Sequence, residues 1–156
     1  MKLFRLGVFV SFALLVLVSC DRSRFFEQNQ AIEDELWSAK EVKTYTFDIT
    51  DTNSLFSFYI NVRNTNEYPY ANLYVFVESK FPDNQLARDT IELQLARLNG
   101  QWLGSGQGKY KYNQFILRKG MRFVQAGSYT FSIEHGMRKD SLNGIADIGI
   151  RLEYDH

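Results

Sequence analysis

The sequence predicts an all-β chain: a single antiparallel β-sandwich, immunoglobulin-like or jelly-roll-like, behind an N-terminal lipoprotein signal peptide. Three observations predict it. Apolar residues alternate with polar ones at period two in stretch after stretch, the pattern of half-buried strands. Clusters of Gly, Asn, Asp and Pro punctuate those stretches at short spacing, as in sandwiches. No long window carries a 3.6-residue period, which leaves no helices for a doubly wound fold.

The chain opens with Lys2 and Arg5 before an almost wholly apolar run from Val8 to Val18. This is the layout of a secretory signal, too short and too early for a permanent span. It closes on Leu17-Val18-Ser19-Cys20, the order of a bacterial lipobox. A thiol is the nucleophile that takes up a diacylglycerol, and a small residue before it lets a peptidase reach the bond. The alternative is an ordinary signal peptide with an incidental cysteine, cut elsewhere. Residues 1–19 are read as the signal peptide, 20–30 as a lipid-anchored tether and 31–156 as the sandwich. Asp21 to Gln30 is polar apart from Phe25 and Phe26, which predicts a flexible spacer. Asp21-Arg22-Ser23-Arg24 carries no acidic run, which favours a domain facing the periplasm.

From Ala31 to Ala39 either a short helical turn, with Ile32, Leu36 and Trp37 on one face, or an extended lead-in fits. Tyr45, Phe47 and Ile49 then alternate with Thr44, Thr46 and Asp48 as a strand. Asp51-Thr52-Asn53-Ser54 is a turn. Phe56, Phe58, Ile60 and Val62 form the cleanest half-buried strand. Leu73 to Glu78 is apolar on both faces and is placed centrally. Phe81-Pro82-Asp83-Asn84 interrupts, and Thr90 to Leu95 resumes with Ile91, Leu93 and Leu95 inward. Asn99-Gly100 signals a hairpin turn. Tyr110 to Leu117 is a strand and Gly120 to Gly127 a connection. Tyr129, Phe131 and Ile133 alternate again. Met137 to Leu142 reads as one helical turn ended by Asn143-Gly144. Ile148, Ile150, Leu152 and Tyr154 finish the chain.

The chain has 156 residues, with 18 basic and 18 acidic groups. Loss of the signal peptide leaves roughly 137, enough for one core. A balanced surface offers no concentrated basic face for nucleic acid. Cys20 is the only cysteine, so once it is lipidated no disulfide, thiolate metal site or cysteine nucleophile is left. Aromatic residues make up 15% of the chain, and packing must supply its stability.

Chemistry is hard to find in this inventory. His135 and His156 are the only histidines, and the reading for His135 is a satisfied side chain at a turn. Trp102 to Gly108 is glycine-rich but lacks a P-loop lysine, and a strand follows it, so its glycines are read as permitting a tight bend or bulge. Asp89, Glu92, Glu134, Asp147 and Glu153 are read as solvated or ion-paired, with Arg63, Arg138 and Arg151 as partners. The expectation is no enzyme activity, no cofactor and no metal.

Tyr68-Pro69-Tyr70 sets a sharp turn whose Tyr68–Pro69 bond is a candidate for cis. Its rings, with Tyr59 and Tyr74, are either a partner-binding patch or ordinary cross-strand pairs.

Several ordered pieces resemble one family. They are Arg63-Asn64-Thr65, then Tyr68-Pro69-Tyr70 with Asn72-Leu73-Tyr74, and Asp89-Thr90-Ile91-Glu92. Gly100, Trp102-Leu103-Gly104, Gly106 and Gly108 follow, then Met137-Arg138, Leu142, Gly144-Ile145 and Asp147-Ile148-Gly149-Ile150-Arg151. From about Trp37 to the end, the chain resembles the gliding-motility lipoproteins called GldH, from Bacteroidetes. The resemblance implies an envelope lipoprotein associated with the gliding apparatus and, through it, with type IX secretion. It implies no catalytic residues to carry over. Relatives also occur in species that do not glide, so envelope assembly is the broader description.

The expectation is a non-enzymatic, membrane-anchored protein held by lipid on Cys20. It would bind another envelope protein through Tyr68, Pro69 and Tyr70 and through the loop of Trp102, Gly104 and Gly106. The alternative is a glycan- or peptidoglycan-binding module in which Trp102, Tyr68 and Tyr70 stack on sugar rings.

Overall fold

The computed structural model describes residues 21–155. The expected signal peptide, Cys20 and His156 lie outside the described residues.

Ten strands are present among the described residues: β1 Arg24–Ala31, β2 Leu36–Ser38, β3 Lys43–Ile49, β4 Phe56–Thr65, β5 Asn72–Lys80, β6 Leu86–Gln94, β7 Tyr110–Met121, β8 Gly127–His135, β9 Ser141–Asn143 and β10 Ile145–Tyr154. One sheet has the order β1-β10-β4-β7 and the other β3-β8-β5-β6, while β2 and β9 form a small ribbon. Every pairing is antiparallel. The all-β sandwich is the fold observed.

Period two decides which side chains face inward. In β3, Tyr45, Phe47 and Ile49 are buried and their neighbours exposed. In β4, Phe56, Phe58, Ile60 and Val62 meet Ile148, Ile150 and Leu152 of β10 between the sheets. β5 lies between β8 and β6, the central position its apolar run predicts. Tyr45 crosses the core, its hydroxyl donating to the Ile148 carbonyl at 2.7 Å.

The expected tether is corrected. From Arg24 onward it is β1, paired with β10 from Arg24↔Glu153 to Ala31↔Asp147. A register shift between Arg24 and Phe26 breaks the alternation, which hides the strand from a pattern search. The Phe25 ring packs edge-on against Phe56 and Tyr154, and the Phe26 ring lies tilted against Phe47. Without β1, the largely buried β10 would present an unpaired backbone edge. The sandwich therefore begins at Arg24, not at residue 31.

Of the two readings of residues 31–39, the extended one fits Leu36–Ser38, and the helical turn expected over Met137 to Leu142 does not form. Residues Glu33–Glu35 make a 3-10 turn in which Asp34 and Glu35 have φ of 52° and 58°, so no α-helix propagates. Ile32 and Trp37 are buried there, but Leu36 points to solvent. Residues Ser141–Asn143 pair with Leu36–Ser38 instead of coiling. Several strands are longer than expected; β6 starts at Leu86, and β7 runs through Gly120 to Met121. No peptide bond is cis among the described residues, so Tyr68–Pro69 is trans.

Candidate functional site

The strands carry the two expected contact loops to one end of the sandwich, opposite the end where the chain enters. β4 delivers Asn66 to Ala71 there. The chain between β6 and β7 delivers Leu95 to Lys109. Asn66 N–H donates to the Lys109 carbonyl at 3.0 Å, and its side-chain amide donates to the Gly108 carbonyl at 2.9 Å. Both Leu95 and Ala96 N–H groups donate to the Ala71 carbonyl. The 3-10 turn joins them: Lys109 Nζ and the Tyr110 hydroxyl each donate to Glu35 Oε1 at 2.8 Å. Those two bonds hold the Glu35 carboxyl below its ordinary range, and its partner Lys109 is raised. β4, ten residues long, separates this end from the N-terminal end by about 33 Å at ~3.3 Å per residue.

Side chain by side chain, the expected site divides. Tyr68 is buried, 3% exposed, with its hydroxyl donating to the Asn72 carbonyl at 2.9 Å. It is a core residue and offers no ring to a partner. Gly144 makes room for it, because a Cβ there would lie 2.7 Å from Tyr68 N. Pro69 is exposed, and Tyr70 is half-buried with its ring edge-on to Tyr68. Trp102 is half-buried and bridges to Ala96. Tyr68, Tyr70 and Trp102 therefore form no open stacking platform.

The glycines have local structural reasons. Gly106 has φ of 112°, and a Cβ there would lie 2.8 Å from the Tyr110 carbonyl. A Cβ on Gly104 would strike the Asn113 amide at 2.7 Å. This is the tight bend the sequence suggested. What the end does expose is Pro69 together with Leu36, Leu98 and Leu103, three leucines not among the expected contact residues.

Of the carboxylates singled out, all but Asp89 are engaged by partners. Asp147 pairs with Arg63, Glu134 with Arg88, and Glu153 with Arg151. Arg63 and Arg151 were expected partners; Arg88 takes the place given to Arg138. Burial raises Asp147 while the Arg63 charge opposes it. Glu92 accepts from the Asn72 amide at 2.6 Å. His135 departs from its expected satisfied state: it is 3% exposed, neither ring nitrogen has a hydrogen-bond partner, and its ring lies edge-on to Trp37. Burial lowers its pKa, against smaller opposing effects from the Trp37 backbone and the Glu134 charge. Among the described residues, no three His, Cys, Asp or Glu side chains group as metal ligands.

The GldH lipoprotein family profile matches residues 24–152. The chain belongs to the GldH lipoprotein family. The matched span begins at the first residue of β1 and ends within β10, so it covers the sandwich except the last two residues of β10. A gliding motility lipoprotein GldH homolog from Christiangramia forsetii is 32% identical to this GldH-family chain, over 96% of the chain and 95% of the relative. Gliding motility lipoprotein GldH from Flavobacterium johnsoniae is 28% identical, over 90% of the chain and 91% of the relative. Among solved structures, one of infectious bursal disease virus (Gx strain) aligns with a TM-score of 0.37 at 15% identity. That alignment covers 86% of this chain and 33% of the viral one.

Proposed function

We propose that this chain is a non-enzymatic lipoprotein of the cell envelope, anchored through lipid on Cys20 with its sandwich facing the periplasm. It acts by binding another envelope protein, and so assembles or stabilises a gliding-motility complex and the type IX secretion machinery linked to it. The supporting observation is the family match over residues 24–152, preceded in the sequence by a lipobox ending at Cys20. The anchor confines the domain to a surface and raises its effective concentration towards partners there. The loop end, about 33 Å from the chain's entry, is the contact region of this reading, through Pro69, Tyr70 and Leu103.

The experiment is photocrosslinking in cells from position 70, with mass spectrometry of the adducts. One envelope protein, captured repeatedly and lost when Cys20 is replaced by Ala, is the expected result. A glycan adduct, or no protein adduct from a folded and correctly localised chain, counts against the reading.

A further inference from the structure

The two flanks of the sandwich are closed differently. On the β1/β3 flank, Gln30 Nε2 donates to the Thr44 carbonyl and Lys43 Nζ to the Ala31 carbonyl, each at 2.7 Å. The Phe26 and Phe47 rings, tilted at 40° with centroids 5.1 Å apart, lie beside them. On the other flank, β6 and β7 are both edge strands, and among the described residues no hydrogen bond joins them. A cleft of about 710 Å³ enters the inter-sheet space there. That lies within the roughly 300–1,000 Å³ of small-molecule sites. Its walls include Phe58, Ile91, Leu93, Phe115, Leu117 and Phe131.

The mouth is charged. Arg118 and Arg122 lie on the β7 lip, both exposed, and neither makes an ion pair among the described residues. Unbroken alternation from Phe115 would turn Arg118 to the outer face. The register shift at Phe58/Tyr59 instead sets Arg118 opposite Phe58, whose ring lines the cleft. Directly paired residues share a face, so this bulge aims a guanidinium at the opening. The β6 lip carries Asp89 and Glu92, of which Glu92 is engaged by Asn72.

We propose that this cleft binds one long acyl chain of an amphiphile with an anionic head, the chain between the sheets and the head on Arg118 and Arg122. From Ala87 to Leu93 the wall runs about 20 Å at ~3.3 Å per residue. One leaflet of a bilayer core is about 15 Å deep, so a single acyl chain fits along it. The position is also right. Phe123 in the wall lies 5.3 Å from Phe56, which lies 5.2 Å from Phe25, close after Cys20 in the chain. The cleft thus opens near the end at which an anchored domain meets its membrane. An inserted peptide strand is a poorer occupant. It would have to pair along edges bearing Arg88 and Asp89 or Arg118 and Lys119, charges that discourage strand addition.

The binding test is independent of the anchor. It uses the chain from residue 20 with Cys20→Ser, which contains every strand of the sandwich. The probe is cis-parinaric acid, displaced by palmitate or by hexadecanol below their micellar range. The expected result is saturable binding of one probe per chain, displaced better by palmitate than by hexadecanol. Ala87→Trp, which fills the cleft from an exposed lip position, should weaken probe binding at least tenfold. Arg118→Gln combined with Arg122→Gln should weaken palmitate about tenfold and leave hexadecanol unchanged; melting curves check that both variants fold. Three results would overturn the proposal: no saturable binding, probe binding unaltered by both variants, or displacement by an alternating Val-Thr decapeptide and not by palmitate.

Discussion

Replacing Tyr45 by Phe removes a single oxygen from the middle of the sandwich, and its effect should reverse with pH. The Tyr45 ring is fully buried and its hydroxyl donates across the sheets to the Ile148 carbonyl. At pH 7 the variant loses one buried hydrogen bond, a net cost of about 1 kcal/mol. For a domain of this size that is a fall of roughly 3–5 °C in Tm. At high pH the sign changes. Burial, with a smaller contribution from the Asp147 charge, raises the folded phenol well above its ordinary value near 10. The unfolded chain then releases a proton that the folded chain keeps. The stability carried by the raised pKa is fully present below pH 10 and is lost as pH climbs towards the folded value. The loss is about 1.4 kcal/mol by pH 11, and the Phe variant has no phenol to lose it. The variant should therefore be about 1 kcal/mol less stable at pH 7 and equal or slightly more stable at pH 11. Urea unfolding followed by the fluorescence of buried Trp37 measures both. A stability difference that is the same at pH 7 and pH 11 would refute the reasoning, because it would mean the hydroxyl ionises as freely in the fold as outside it.

Other perturbations separate structural roles. A chain starting at Ile32 should fail to unfold cooperatively, because β10 loses its partner strand; an unchanged melt would restore the tether reading for residues 24–31. Gly149→Ala places a Cβ against the Asn29 side chain and 2.5 Å from the Gln28 carbonyl, and should cost about 1–3 kcal/mol in chemical denaturation. Burial holds His135 below its ordinary 6.5, so the unfolded chain takes up a proton near that pH that the fold refuses. Its stability contribution is complete above 6.5 and falls as pH drops. His135→Phe should flatten that part of the curve between pH 7.5 and 5.5, and an unchanged slope would show that the imidazole is solvated.

Where one face of a strand meets the core and the other meets water, the residues report it, because burial alone fixes the side-chain period. β3, β4, β8 and β10 are legible in this way, and the fold class follows from them. The lipobox is legible too, since a peptidase and an acyl transferase read local sequence. β1 is illegible because a register shift turns adjacent Phe25 and Phe26 to packing positions and breaks the period. Residues 31–39 read ambiguously because left-handed φ at Asp34 and Glu35, at residues that are not glycine, breaks any regular period between Ile32 and Trp37.

The contact loops show the same division. Sequence placed Tyr68, Pro69, Tyr70, Trp102, Gly104 and Gly106 together as candidates, and the fold does bring their loops to one end. It also sorts them: Tyr68 goes to the core, Gly104 and Gly106 to backbone clearance, and Pro69 to solvent. Leu36, Leu98 and Leu103 join the surface with no sequence signal, since an exposed leucine looks like a buried one on paper. By itself the sequence determined family, fold class and the predicted point of anchoring, all encoded in local pattern and residue order. Only the tertiary structure decided which flank of the sandwich closes and which stays open. That depends on Gln30 and Lys43 reaching backbone carbonyls of neighbouring strands on one side, and on a bulge setting Arg118 at the cleft mouth on the other, and long-range register controls both.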